Sequence, residues 1–376
     1  MIKRLLSVLL IAMALISCEQ EDVTVTYRLD VKLNPATGEK MPETITVNAK
    51  NETNGQTYAT TADANGAAVF ETLSAGFYTV TASSEAFNAV QNIELFDDIQ
   101  TTMTLIKGKL GKFVIKEVYY SGSTTPAQKG YYSDQFIEIH NNSADTLYAD
   151  GLSITIHAWY GMSENPYAYM AADSMAIQLC YTVPGNGTDH PVAPGKSFII
   201  AQDAINHQSD ELGNPNSPVN LADAEFEFYS TRFTGKDVDH PAPNLIPNLF
   251  PFIGSDVTMH NRGGNALALV RIPGDVDDFL KNNMIDAMRA KIPNKWVEDA
   301  VEIMPVGKTF KRYDSTLDAG TVVLEAGAKS GLSIRRKVSH ILSDGRLSEG
   351  RVIYMDTNNS SNDFLHDVTP MPRGHE

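Results

Sequence analysis

The sequence predicts an all-β protein of two β-sandwich domains in tandem, with loop insertions and one short helix in the second. Three observations carry this. Runs such as Thr44-Ile45-Thr46-Val47-Asn48-Ala49 and Ile137-Glu138-Ile139-His140 alternate polar and apolar residues, the period of two that a strand imposes. They are separated by turn-forming clusters such as Asp63-Ala64-Asn65-Gly66. The chain, at 376 residues, is also longer than one core usually absorbs. The polar, glycine-bearing stretch Lys107-Gly108-Lys109-Leu110-Gly111-Lys112 divides it into residues 23–107 and 110–376. Helical spacing occurs at residues 276–291, where Phe279 or Leu280 with Met284 and Met288 form an apolar stripe. Asp275, Asp277 and Asp278 suit its N-terminus, and Pro293 lies just past its end.

The N-terminus reads as an address. Lys3 and Arg4 precede the apolar run Leu5 to Ile16, and Leu15-Ile16-Ser17-Cys18 resembles a bacterial lipobox. Residues 1–17 are then a lipoprotein signal peptide, and Cys18 accepts the lipid that anchors the chain to the outer membrane. Glu19, Gln20, Glu21 and Asp22 make residues 18–22 an acidic stretch. It resembles the tether that sends Bacteroidota lipoproteins to the cell surface, and also reads as a solvated linker on a periplasm-facing protein. Beyond the leader no apolar run reaches the roughly 18 to 20 residues that a membrane-spanning helix needs. The formal net charge is -16, and Arg335-Arg336-Lys337 is the longest basic cluster, which argues against nucleic acid as a partner.

Residues 23–107 contain Asp63-Ala64-Asn65-Gly66-Ala67-Ala68-Val69-Phe70-Glu71-Thr72-Leu73-Ser74-Ala75-Gly76-Phe77-Tyr78-Thr79-Val80. The pattern resembles the carboxypeptidase-regulatory-like and transthyretin-type β-sandwiches, with Phe70, Leu73, Tyr78 and Val80 as core; it carries no chemistry. Asp63 and Asn65 lack the downstream glutamate of a calcium loop.

Residues 110–376 open with Phe113-Val114-Ile115-Lys116-Glu117-Val118 and Asp134-Gln135-Phe136-Ile137-Glu138-Ile139-His140-Asn141-Asn142. They close with Ser333-Ile334-Arg335-Arg336-Lys337, Arg351-Val352-Ile353-Tyr354, the polar turn from Asp356 to Phe364, and Pro370 and Pro372. This order resembles the lamin-tail type of Ig-like domain, an architecture without a fixed activity. In the closing turn, Asn, Asp and Ser side chains are expected to cap their own backbone, with Arg335 or Arg336 paired to Asp356 or Asp363. Insertions fall at residues 157–175, 202–264 and 276–291; strands are expected at 192–201, 266–271 and 296–303. The whole is similar to an uncharacterised family of Bacteroidota outer-membrane lipoproteins, a resemblance that implies a TonB-dependent transporter as partner.

No catalytic signature is present: H-E-x-x-H and G-x-S-x-G are both missing. Gly195-Lys196-Ser197 and Gly307-Lys308-Thr309 lack the upstream glycine of a phosphate loop. Cys180 sits in a strand pattern and reads as a small buried hydrophobe. His190, His207, His240 and His260, with Asp203, Asp210 and Asp239, fall in or beside one insertion; surface histidines are expected there, a metal site being the alternative. No catalytic residue, metal ligand or cofactor is therefore assigned. Trp159, Tyr160, Tyr167, Tyr169 and Met170, with Met162 and Met175, put adaptable apolar side chains into an insertion. They read either as a recognition surface for a ligand or partner or as a satellite core. The resulting function is a non-catalytic surface binding module, accessory to nutrient or metal-complex uptake through a TonB-dependent transporter. An adhesin or matrix protein is the alternative, and a metal-dependent hydrolase built on the histidine-bearing insertion the third. Asp145-Thr146-Leu147, Asp173-Ser174-Met175 and Asp314-Ser315-Thr316 resemble the short O-glycosylation acceptor of Bacteroidota.

Cys18→Ala is expected to abolish acylation and to leave the chain as precursor or as soluble protein. Feeding a fatty-acid analogue and reading label on the protein checks this; a labelled variant would exclude Cys18 as the anchor.

Overall fold

The computed structural model describes residues 25–84, 87–107, 112–229, 238–250, 258–342 and 350–375. Cys18, the acidic stretch, Pro251 and residues 108–111 of the joint lie outside them. Seven strands form the first unit, in the order Thr57–Thr61, Thr46–Asn51, Gly76–Ser84, Phe87–Leu95, Ile99–Lys107, Thr26–Pro35, Ala67–Ser74. Among the described residues only Phe87-Asn88 against Ile106-Lys107 joins the first four to the last three, so the path splits into two wings. The wings share one core, in which Leu29 and Leu33 of one meet Val47, Tyr78 and Val80 of the other. The turn at Gly66 shows why glycine is needed. Its φ is +76°, and a Cβ there would lie 2.5 Å from the Leu33 carbonyl oxygen. Asp63 spends its carboxylate within the same turn, accepting the N–H groups of Asn65 and Ala67 at 2.9 and 2.8 Å.

The second unit is two facing sheets. One runs Phe226–Glu227, Ser197–Ala201, Phe136–Asn141, Phe113–Tyr119, Ser333–Arg336, Phe364–Val368. The other runs Met284–Asp286, Arg289–Pro293, Ser174–Thr182, Leu152–His157, Ala266–Arg271, Val297–Met304, Val322–Val323. Between them lies the main core, where Ile115, Ile137 and Ile139 face Ile154, Leu179, Leu267 and Val301. The outer faces are covered as well. Val219 and Leu221 of the long insertion pack on Tyr119, Phe136 and Ile199, while Val352 and Tyr354 of a hairpin pack on Val114. On the other sheet, the helix residue Leu280 packs among Ile177, Cys180, Ala268 and Val270.

This double covering corrects one expectation. Alternation in Phe136–Asn141 implies a core face and a solvent face, yet all six residues are buried. The outward charges are neutralised inside: Glu138 accepts from Lys116 Nζ at 2.7 Å, and His140 bonds to Ser197 Oγ and the Val352 carbonyl. The helix is corrected too. It spans only Val276–Asn282, with the Asp275 carboxylate capping the Asp278 N–H, and Asn283 ends it. Met284 and Met288 continue into a β-hairpin whose second strand, Arg289–Pro293, pairs with Ser174–Thr182.

The polar turn caps itself and binds an arginine. Asp363 accepts the Thr357 N–H and hydroxyl at 2.9 and 2.7 Å. Arg336 approaches Asp356 and Asp363 at 3.5 Å each and Asp299 of the facing sheet at 2.6 Å. The same turn holds the first unit: Asn362 accepts from Asn48 Nδ2 at 3.0 Å and donates to Ser83 Oγ, and Asn88 donates to the Thr357 carbonyl. Among the described residues no helix is long and apolar enough to cross a membrane.

Phe136 is fully buried, between Tyr119 on the neighbouring strand and the insertion residues Val219 and Leu221. Phe136→Ala is expected to cost about 3 to 5 kcal/mol of stability. Urea titration reads this directly, and an unchanged midpoint would show that the ring packs against nothing that holds the fold.

Candidate functional site

The strand Leu152–His157 ends on a buried histidine, and the chain then leaves the sheet as a loop tied down at several points. The Trp159 N–H donates to His157 Nδ1 at 3.1 Å, and the Trp159 carbonyl accepts from Arg312 at 3.1 Å. Asn165 accepts the Tyr167 N–H at 2.9 Å and donates to the Arg312 carbonyl at 3.2 Å. At the far end Asn294 donates its amide to Ala171 at 2.7 Å and its backbone N–H to Asp173 at 2.9 Å. Arg312 is the anchor. It is completely enclosed, bonded at 2.5 Å to the equally enclosed Glu302 and at 2.6 Å to the Ile303 carbonyl. Burial alone would raise the Glu302 carboxyl; Arg312, Lys311 and the backbone N–H groups of Tyr313 and Arg312 hold it below its ordinary range instead.

The loop divides its apolar side chains between core and solvent. Met175 is buried, and Trp159, Tyr160, Tyr167 and Met170 are half-buried. Tyr169 is 78% and Met162 54% exposed. Tyr160 lies against His260 at 5.4 Å between ring centres, and Tyr167 against His157 at 6.1 Å. The insertion therefore packs some of its rings against the domain and leaves Tyr169 and Met162 in solvent. Two neighbours that sequence reasoning missed extend the ledge. Gly161, at φ +69°, would bring a Cβ within 3.3 Å of Met304 and the Phe310 carbonyl, so the turn bearing exposed Val306 and Phe310 lies beside it. On the other flank is the hairpin with exposed Met284 and Met288, whose Arg289 pairs with Asp286 at 2.8 Å and acts electrostatically on Tyr160 and Tyr167. Assigning those methionines to a helix hid this contribution.

Of the histidines of the long insertion, His207 and His240 lie near enough to interact electrostatically with each other and with Asp210. Among the described residues no group of three or more His, Cys, Asp or Glu side chains is placed to hold a metal. His207 is not a surface residue as the sequence suggested; it is buried, bonded to the Tyr131 hydroxyl and the Asp203 carbonyl. His190 packs on Phe226, and His260 is exposed beside Tyr160. Cys180 is buried, and burial pushes its thiol up to about 12, which leaves it inert. The Gly195 and Gly307 segments are tight turns. Of the acceptor-like serines and threonines, Thr146 is exposed whereas Ser174 is buried in a strand.

The lower support of the ledge lies in a stretch with known relatives. Residues 193–371 match the DUF4876 family, described as proteins of unknown function. The DUF4876 match contains Arg312, Glu302 and both flanking elements, while the aromatic loop precedes it. The chain is similar to a DUF4876 family protein from Bacteroides thetaiotaomicron VPI-5482 of known crystal structure. The two are 28% identical with a TM-score of 0.61, over 93% of this chain and 98% of that one. Likenesses to the Bacillus anthracis TIE protein and to a leucine-rich repeat protein from Bacteroides thetaiotaomicron are too slight to bear on the fold. They are 12% and 13% identical over 47% and 46% of this chain and 28% and 24% of theirs, each with a TM-score of 0.19. No curated protein matches the chain.

His157 gives the ledge a pH dependence. Its ring is held between Tyr167 and Tyr313, and burial lowers its pKa to about 3, so the neutral ring accepts the Trp159 N–H. The unfolded chain protonates this histidine near pH 6.5 whereas the folded chain resists, so its contribution to stability is complete above about pH 6.5 and is lost progressively as pH falls toward 3. Glu117 and Asp134, raised by burial to about 7 and about 6, act with the opposite sign, so the test compares proteins that differ at one position. His157→Gln is expected to show a shallower fall of Tm between pH 6.5 and pH 4 than the parent; parallel curves would mean that the imidazole takes up its proton in the folded state.

Proposed function

We propose that the protein is a non-catalytic, lipid-anchored binding module of the outer membrane, exposed at the cell surface. In this reading it meets a protein partner through the ledge at residues 159–170, as an accessory to nutrient or metal-complex uptake through a TonB-dependent transporter. One observation carries the proposal: Tyr169 and Met162 project from a loop whose backbone is fixed by Arg312, Asn165 and Asn294. An exposed aromatic on a fixed backbone loses little conformational freedom on binding, and such side chains dominate protein interfaces. The adjoining apolar residues Val306, Phe310 and Met288 enlarge the surface beyond a scattered exposed residue. Reading the second unit as lamin-tail-like belongs to the same proposal. It is supported by the register that sets Glu138 opposite Glu117 and Glu117 opposite Arg335, the positions of the family-like motif.

A photo-crosslinking residue at position 169 is expected to capture a TonB-dependent transporter in native outer membranes, and one at the also exposed Leu212 to capture none. Tyr169→Ala with Met162→Ala is expected to weaken that association by about tenfold or more while changing stability by no more than about 0.5 kcal/mol. Capture that is equal at both positions, or undiminished in a folded double variant, would remove the ledge as the interface.

A further inference from the structure

The two units face each other across a cleft of about 1080 Å³. One wall comes from the first unit, where Thr44, Thr46 and Asn48 line the cleft while Ile45, Val47 and Ala49 between them enter the core. Ser83 stands beside Thr46 on the paired strand and extends this wall of hydroxyl and amide groups. The opposite wall is the second unit's hairpin, with Ser339 and Ile353, next to Asn142. Asn362 spans the two walls through Asn48 and Ser83, so the opening is set before any ligand arrives.

The charges on the lining cancel. Glu43 and Asp356 stand against Lys107 and Lys337, in a chain whose formal net charge is -16. Both lysines are engaged already: Lys337 donates to the Asn362 carbonyl at 2.7 Å, and Lys107 pairs with Glu39 at 3.2 Å and lies over the Phe87 ring. Asp356 faces Arg336 at 3.5 Å. An anionic ligand would meet no cation that is not already engaged. On the first wall an extended peptide finds no edge to add to, because Thr46–Asn51 is paired on both sides, with Thr57–Thr61 and Gly76–Ser84.

We propose that this cleft binds a short neutral oligosaccharide. Such a ligand carries hydroxyls that both donate and accept, matching the exposed Thr44 and Thr46 hydroxyls and what Asn362 leaves open, the Ser83 hydroxyl proton and the Asn48 amide oxygen. Its C–H faces are apolar and suit Phe87 and Ile353, which also line the cleft. The volume lies just above the roughly 300–1,000 Å³ of ordinary ligand pockets, room for several sugar rings. The site shares no residue with the aromatic ledge and does not depend on its role.

The test is calorimetric titration of the mature chain with maltohexaose, cellohexaose, xylohexaose and mannohexaose, each to about 5 mM, because even a millimolar Kd would then register. Oligogalacturonate of the same length serves as the charged control. At least one neutral hexamer is expected to bind, and Thr46→Trp, an exposed position where a large ring would occupy the cleft, is expected to weaken it about tenfold or more at unchanged Tm. Tyr169→Ala with Met162→Ala is expected to leave this binding unaltered, which separates it from the transporter reading. The proposal is overturned if no neutral hexamer binds, if oligogalacturonate binds more tightly, or if binding survives both Thr46→Trp and Ile353→Asp in folded protein.

Discussion

Arg336 is the side chain on which the second unit turns. It donates to the carbonyls of Ile115 and Met355, lies over the Phe364 ring, and meets the buried Asp299 and Asp363 and, at the cleft, Asp356. Asp299 in turn accepts the Ile115 N–H at 2.6 Å, so one arginine–aspartate pair stitches one sheet to the other. A buried pair of this kind is not a large source of net stability, since desolvation offsets much of its attraction. What it supplies is uniqueness. Any arrangement that separates Arg336 from the three aspartates leaves charges buried and unpaired, so the sheets and the closing turn must assemble together or not at all.

That lock also explains which parts of the fold were legible in sequence. Opposite charges flanking a tight Asn, Asp and Ser turn announce their own pairing, and Arg336 does meet Asp356 and Asp363. Asp299 lies 37 residues away on another sheet, and nothing local marks it as the closer partner. The helix was legible at its start, where Asp275 caps, and illegible at its end. Met284 and Met288 fit a helical stripe, but pairing of Arg289–Pro293 with Ser174–Thr182 is a long-range gain that local spacing does not encode. The strand Phe136–Asn141 misled for a related reason: Glu138 and His140 read as solvent-facing because the Lys116 Nζ and Val352 carbonyl that satisfy them come from elsewhere in the chain. At the ledge, composition located the aromatics, but which of them reach solvent was decided by Arg312, far along the sequence.

The insertions are what make the second unit larger than a minimal sandwich, and they fall into two kinds. Val219 and Leu221 of the 202–264 excursion lie down on the outer face of a sheet and become core. His207 follows the same logic, a polar residue drawn inside and satisfied there. The 157–175 insertion instead stops at the rim, where its backbone is fastened and only part of its apolar surface is covered. Covering the outer faces takes most of the sandwich out of solvent and leaves the rim and the cleft between units as the open surfaces on which the two proposals rest.

Both of those surfaces rest on the strand Val297–Met304. Glu302 holds Arg312, which fixes the ledge at the Trp159 carbonyl, and the Glu302 N–H donates to Asp318 at 2.7 Å. Asp318 accepts the Ser360 N–H at 2.8 Å and the Ser360 hydroxyl, which places it under the turn that carries Asn362 to the wall of the cleft. A continuous line of enclosed polar groups therefore runs from ledge to cleft. Such a line does not by itself couple two binding events, for coupling requires an element with two stable arrangements. Enclosed along Arg312, Glu302 and Asp318, this one argues for the opposite property: the same buried network supports both surfaces, so that binding at either is expected to meet a preformed site.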